Sequence, residues 1–219
     1  MSVVNSLLKF FQEGGLFMYP ILFLFAAGVA IAVERWLFLT RERIVSRSEW
    51  ERLMPHLYQG DFLMALEQAR KSRAALANIL VLGLNRVQKK KSPESVEKVM
   101  LQGLMEFVPR LEKRTHYLAT LANLATLLGL LGTIVGLIQA FTAVANADPA
   151  QKADLLSASI SVAMNTTAFG LLAAIPLLLI HSLLMSKTTE IVNSLEMAAM
   201  KLVNLLDEKE EAPDGEQHP

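Results

Sequence analysis

Among the polar side chains inside apolar sequence are Thr133 in one long uncharged run, and Ser159, Asn165, Thr166 and Thr167 in another. Hydroxyl and amide groups in hydrocarbon need a partner helix, water or an ion. A single threonine can satisfy itself by bonding back to a carbonyl one turn earlier, and that reading stays open for each taken alone. Together, at corresponding depth in adjacent runs, the three threonines and Asn165 suggest a polar lining, with Ser159 further along the same run, and point towards a membrane conduit rather than an anchor. No catalytic residue is expected. An intramembrane enzyme needs paired aspartates, a Ser/His pair across helices, or a metal cluster, and the runs contain none of these. His181 and Ser182 are adjacent and cannot share a helix face, so His181 reads as an interfacial residue. The chain has no cysteine, which removes disulfides, thiolate chemistry, cysteine metal sites and lipoprotein anchoring; no metal site is expected.

The elements that must hold these residues are long helices. Leu118 to Ala145 and Leu155 to Met185 carry no Asp, Glu, Lys or Arg. Each exceeds the roughly 20 residues that cross a bilayer. A third run, Leu16 to Val33 extended by Trp36-Leu37-Phe38-Leu39, also qualifies. A helix can cross lipid because its backbone groups bond within the segment.

Both later runs carry files of small residues. Ala122, Ala125, Gly129, Thr133, Gly136 and Ala140 recur at helical steps, as do Ser159, Ala163, Thr167, Gly170 and Ala174. Small faces let helices approach closely, and Gly132-x-x-x-Gly136 is one such spacing. Ala125, Gly129, Gly132, Gly136, Ala140, Ala163, Gly170 and Ala174 are therefore the expected surface for packing a partner helix. Ordinary helix packing accounts for any one of them.

The formal net charge is zero, but the charges are segregated. Fifteen Lys/Arg lie between Thr40 and Arg114, while only Lys9 precedes the first run and only Lys152 separates the second from the third. Basic residues accumulate in short cytoplasmic loops. The expected organisation is a periplasmic interfacial helix over 1–15 and a first transmembrane helix over 16–39. A cytoplasmic helical domain over 40–114 and a second transmembrane helix over 115–145 follow. Then come a periplasmic loop (146–154), a third transmembrane helix (155–185), and a cytoplasmic C-terminal helix with an acidic tail (186–219). Ala30-Ile31-Ala32 has the look of a cleavage site, but the apolar stretch is too long for a signal peptide; cleavage is not expected.

Local signals subdivide the inner segment. Ser48-Glu49-Trp50-Glu51 has capping-box spacing and predicts a helix start. Gly60-Asp61 breaks the chain before Phe62, and Ser92-Pro93 opens another helix with proline at its favoured first position. That helix is expected to run through Pro109 into the second span. Lys89-Lys90-Lys91 could touch nucleic acid or anionic lipid. A solvated loop is the simpler reading, and no nucleic-acid partner is expected. After Met185, Ile191, Leu195, Leu202 and Leu206 mark an amphipathic helix, and the Pro/Gly-containing end reads as disordered.

Two stretches carry a family resemblance. Leu127-Leu128-Gly129-Leu130-Leu131-Gly132-Thr133-Ile134-Val135-Gly136-Leu137-Ile138-Gln139-Ala140-Phe141 resembles the second span of the MotA/TolQ/ExbB family. Thr166-Thr167-Ala168-Phe169-Gly170-Leu171-Leu172-Ala173-Ala174-Ile175-Pro176 resembles its third. Three spans with one inner domain resemble the TolQ/ExbB branch, since MotA-type proteins have four. The resemblance implies an all-α membrane protein with long helical cytoplasmic extensions, assembling as a pentameric ring in the bacterial inner membrane. It implies a dimer of an ExbD/TolR/MotB-like single-span partner whose aspartate carries the ion, with Thr133 and Thr167 on the route. No cofactor is implied, because H+ or Na+ is the transported species. TolQ and ExbB resemble each other in a third-span glutamate where this chain has Val162. The Thr166-Thr167 pair beside Asn165 resembles the sodium-driven members, and hydroxyl and carbonyl oxygens suit a dehydrated hard cation, which leans the expectation towards sodium.

An ion-driven motor subunit is thus the leading expectation. A passive membrane scaffold, in which the small faces only hold an envelope complex together, is the alternative.

Overall fold

The computed structural model describes residues 14–145 and 147–211. The expected interfacial helix over 1–15 falls almost wholly outside them, as do Asn146 and the tail beyond 211. Among the described residues every regular element is α-helical. The helices are α1 (Met18–Gln59), α2 (Phe62–Arg70), α3 (Ala75–Gln88), α4 (Pro93–Glu112), α5 (Thr115–Ala145) and α6 (Lys152–Glu211). Three stretches are long and apolar enough to cross a membrane: within α1, within α5, and within α6.

The chain divides into two compact units, and α1 and α6 contribute to both. The first comprises residues up to Arg35 together with Arg114–Leu183. It contains the start of α1, all of α5 and the first half of α6. No more than 28 % of the most apolar window of any of the three helices is buried. Phe23, Leu127, Ile138, Phe141, Leu172 and Leu179 all point outward. A water-soluble bundle would bury such a surface; here it is left for lipid or for other chains. Pro20 lies in the first turn of α1, where a missing N–H is harmless. Pro176 lies inside α6, a position spanning helices tolerate when neighbouring groups take up the freed carbonyl.

The second unit comprises Trp36–Lys113 and the residues from Leu184 onward. Its core is aliphatic, with Leu53, Leu57, Ile79, Leu80, Leu84 and Met100 almost fully buried. Asp61 caps α2 by accepting the Met64 N–H at 3.0 Å, and Gly60 before it takes φ 73°, a turn a side chain resists. Pro93 opens α4 as expected. Ile191, Leu195 and Leu202 are buried, as their spacing predicts, while Leu206 is half-buried.

Two expectations about helix boundaries are overturned. Ser48-Glu49-Trp50-Glu51 starts no helix but lies in the interior of α1. Once a helix is propagating, each further residue adds a bond without a new nucleation cost, and capping residues do not stop it. Conversely, the helix through Pro109 does not continue into the second span. It ends at Glu112, and Arg114 takes φ 66°, a left-handed conformation that breaks the helical ladder. Thr115 then starts α5 afresh. At this break the Arg114 guanidinium sits 3.6 Å from the Glu34 carboxylate.

Candidate functional site

The site is the seam where α5 and α6 meet inside the first unit. Its geometry follows from the small residues. A methyl group added at Gly129 would lie 3.2 Å from Thr167 Cα and 3.3 Å from Gly170 Cα. One added at Gly170 would lie 2.7 Å from the Ala125 carbonyl oxygen and 3.1 Å from Gly129 Cα. The two backbones therefore touch: a methyl group at Gly170 has no room, and one at Gly129 would be tight against the backbone of α6. One turn along, Gly132 faces the Thr166 side chain, and after another turn a methyl group at Gly136 would lie 2.8 Å from Ala163 Cβ. The pairings run in opposite directions along the two helices, as an antiparallel pair requires.

Each hydroxyl of interest can then be located. Thr167 Oγ1 donates across the seam to the Gly129 carbonyl at 2.8 Å. That carbonyl also serves as the acceptor of its own helix, so the bond uses its second lone pair. Thr133 is the next residue one turn beyond Gly129, half-buried, and donates back to the Leu130 carbonyl at 2.6 Å. Thr166 is 2 % exposed. Its hydroxyl reaches two carbonyls, that of Val162 one turn earlier at 2.9 Å and that of Gly14, far away in sequence. The three threonines fall within about one 5.4 Å turn in height, but only Thr166 and Thr167 bond beyond their own helix, whereas the Thr133 bond stays within α5 and is exposed. Asn165 and Ser159 are half-buried on α6.

The small residues named from the sequence are spent inside this chain. Ala125, Gly129, Gly132, Ala140, Ala163, Gly170 and Ala174 are buried and Gly136 is half-buried. A methyl group at Gly129, Gly132, Gly136 or Gly170 would meet the chain's own opposite span. What reads as a docking face for a partner helix is, in the protomer, the surface that joins the second span to the third.

One participant was missed. Gly14-Gly15 reads as a simple helix breaker, yet Gly15 takes φ 74° and the turn lays the Gly14 carbonyl on Thr166. A methyl group on Gly15 would lie 3.3 Å from Val162 Cγ1. Val162 is therefore packed against this turn. The Gly14-Gly15 pair was the available hint, but nothing local names Thr166 as its partner.

The seam holds no charged side chain. Among the described residues no group of three or more His, Cys, Asp or Glu could hold a metal ion. What the arrangement offers is neutral oxygen: three hydroxyls and the carbonyls they meet. Such a set can coordinate a cation or orient water, but it cannot take up and release a proton.

Comparison with known proteins places this seam in a family context. The model of the MotA/TolQ/ExbB proton channel family matches residues 71–197, which include all of α5 and the part of α6 that packs on it. A putative biopolymer transport protein, ExbB-like 1 of Synechocystis sp., is 31 % identical over 183 residues, covering 82 % of this chain and 71 % of the relative. The Tol-Pal system protein TolQ of Haemophilus influenzae is 28 % identical over 167 residues, or 70 % of this chain and 71 % of that one. The biopolymer transport protein ExbB of Aquifex aeolicus is 31 % identical over 80 residues, 36 % of this chain.

Proposed function

The chain belongs to the MotA/TolQ/ExbB proton channel family, on its ExbB/TolQ-like branch, and from that premise we propose that it is the ion-driven motor subunit of an envelope complex. Its three apolar helices make it a multi-pass membrane protein. In the reading proposed here it sits in the bacterial inner membrane with the N-terminus periplasmic and the second unit cytoplasmic, as the excess of Lys/Arg in 40–114 favours. Five copies form a ring around two single-span helices of an ExbD/TolR-like partner.

The observation that carries this reading is the hydroxyl-bearing seam, with Thr167 bonded to the Gly129 carbonyl and Thr133 one turn away, inside helices that hold no charge. The seam has no titratable group, and in this reading an aspartate of the partner supplies the charge that carries the ion, with the seam oxygens as neutral ligands beside it. Thr133 and Thr167 line the route, with Asn165 and Ser159 along α6 and Thr166 building the wall. One charge moving down 100 mV releases about 2.3 kcal/mol, comparable to breaking and remaking one or two hydrogen bonds. That is enough to advance the ring one step about the partner. The oxygen-only lining favours sodium over the proton.

The test is force output in cells carrying Thr133→Val or Thr167→Val. Loss of output with normal assembly supports the proposal, and normal output in both variants overturns the lining. A second reading, a passive scaffold, draws on the same bonds: every threonine in the seam already has a carbonyl acceptor. It predicts that an ionophore leaves output unchanged, whereas the motor stops. Replacing sodium with potassium then separates the two ions.

A further inference from the structure

In the second unit α1 and α6 leave a half-open cleft of about 430 Å³. That is within the range of small-molecule sites, about 300–1,000 Å³. Its apolar lining comes from Trp50, Leu76, Ile191, Met197 and Ala198. Three cations, Arg43, Arg47 and Lys201, stand around it against one lining carboxylate, Glu190. The Lys201 ammonium lies 5.6 Å from the centre of the Trp50 ring. Arg43 pairs with Glu190 at 3.1 Å and Arg47 with Glu51 at 3.2 Å, both pairs well exposed. Exposed pairs contribute about 0–1 kcal/mol, so an incoming anion competes with them at little cost. Asn193 adds an exposed amide to the lining.

We propose that this cleft binds a small soluble organic anion, one that presents phosphate or carboxylate to the two guanidinium forks and lays an apolar body on Trp50. Guanidinium geometry matches both oxyanions, and the apolar lining selects an organic ligand over an inorganic ion. A lipid headgroup shares the charge chemistry, and basic pockets near membranes do bind headgroups. Depth argues against it. Leu39 ends the first apolar run, and at about 1.5 Å per residue Arg43 lies about 6 Å and Trp50 about 16 Å further along α1. The far end of the cleft is beyond the reach of a headgroup anchored at the level of Leu39.

The experiment uses the full-length protein in phosphatidylcholine nanodiscs and trinitrophenyl-ATP, a polyphosphate on an aromatic body, as fluorescent probe. Saturable binding is expected, weakened at least tenfold in the Arg47→Gln/Lys201→Gln double variant. Thermal unfolding of that variant, measured alongside, should match the parent. Absence of saturable binding, or equal binding by the variant, overturns the proposal. So does loss of probe binding when phosphatidylglycerol replaces part of the phosphatidylcholine, because the cleft is then a lipid site. None of these readouts depends on motor activity.

Discussion

Thr167 Oγ1 donates to the carbonyl of Gly129 at 2.8 Å, across a contact so close that Gly170 has no room for a methyl group and Gly129 little. One hydrogen bond thus ties the second apolar span to the third at the point where their backbones meet. Interhelical bonds of this kind contribute about 0.6–1.7 kcal/mol in membranes. Thr167→Val should therefore lower stability only by about that amount in thermal unfolding of the solubilised protein, while abolishing force output. Thr167→Ser keeps the hydroxyl and should restore output. Equal loss in both variants would mean that the side chain's shape matters and its oxygen does not.

The glycines should rank by what their missing methyl group would strike. At Gly170 it meets the Ala125 carbonyl at 2.7 Å, which is backbone and cannot step aside. At Gly28 it meets the tip of the Leu177 side chain at 2.7 Å, which can rotate away. Overpacking costs typically about 1–3 kcal/mol, so Gly170→Ala belongs at the upper end of that range and Gly28→Ala at the lower end. Thermal unfolding of the two variants checks the order.

Thr166 is a structural residue of the wall, bonded to the Gly14 carbonyl. Thr166→Val removes the donor and leaves a buried carbonyl with less to bond to, at about 1–3 kcal/mol. The turn at Gly14-Gly15 should loosen with it. Amide exchange at Met18, whose N–H bonds the Gly15 carbonyl at 3.3 Å, should accelerate in Thr166→Val and remain slow in Thr166→Ser.

Lys187 is held by two groups of α1. Its ammonium lies 3.4 Å from the centre of the Trp36 ring and 2.9 Å from Thr40 Oγ1. A cation on an aromatic face contributes about 0.5–2 kcal/mol depending on desolvation. Lys187→Met keeps the stem and removes the charge. In a Trp50→Phe background, where Trp36 is the remaining tryptophan, its emission should shift, and stability should fall by about 1 kcal/mol.

Much of this protein was legible in the sequence because the signals concerned are local. Charge-free runs longer than a bilayer announce spanning helices whatever they pack against, since the backbone satisfies itself within each. Small residues at helical spacing announce a close approach, and two motifs in order announce the family. Helix boundaries were read less well. The capping-box residues from Ser48 to Glu51 are indistinguishable locally from helix interior, and nothing around Arg114 signals a left-handed break.

What a small face packs against is likewise not written along one strand of sequence. Gly129 and Gly170 could have met a partner chain, and only the fold assigns them to each other. Gly14 and Thr166, 152 positions apart, become neighbours because α1 begins beside the seam that α5 and α6 make. Periodicity and charge depend on near neighbours and so were determined by the sequence alone. Pairings between distant segments depend on how whole helices come together, and those the tertiary structure decided.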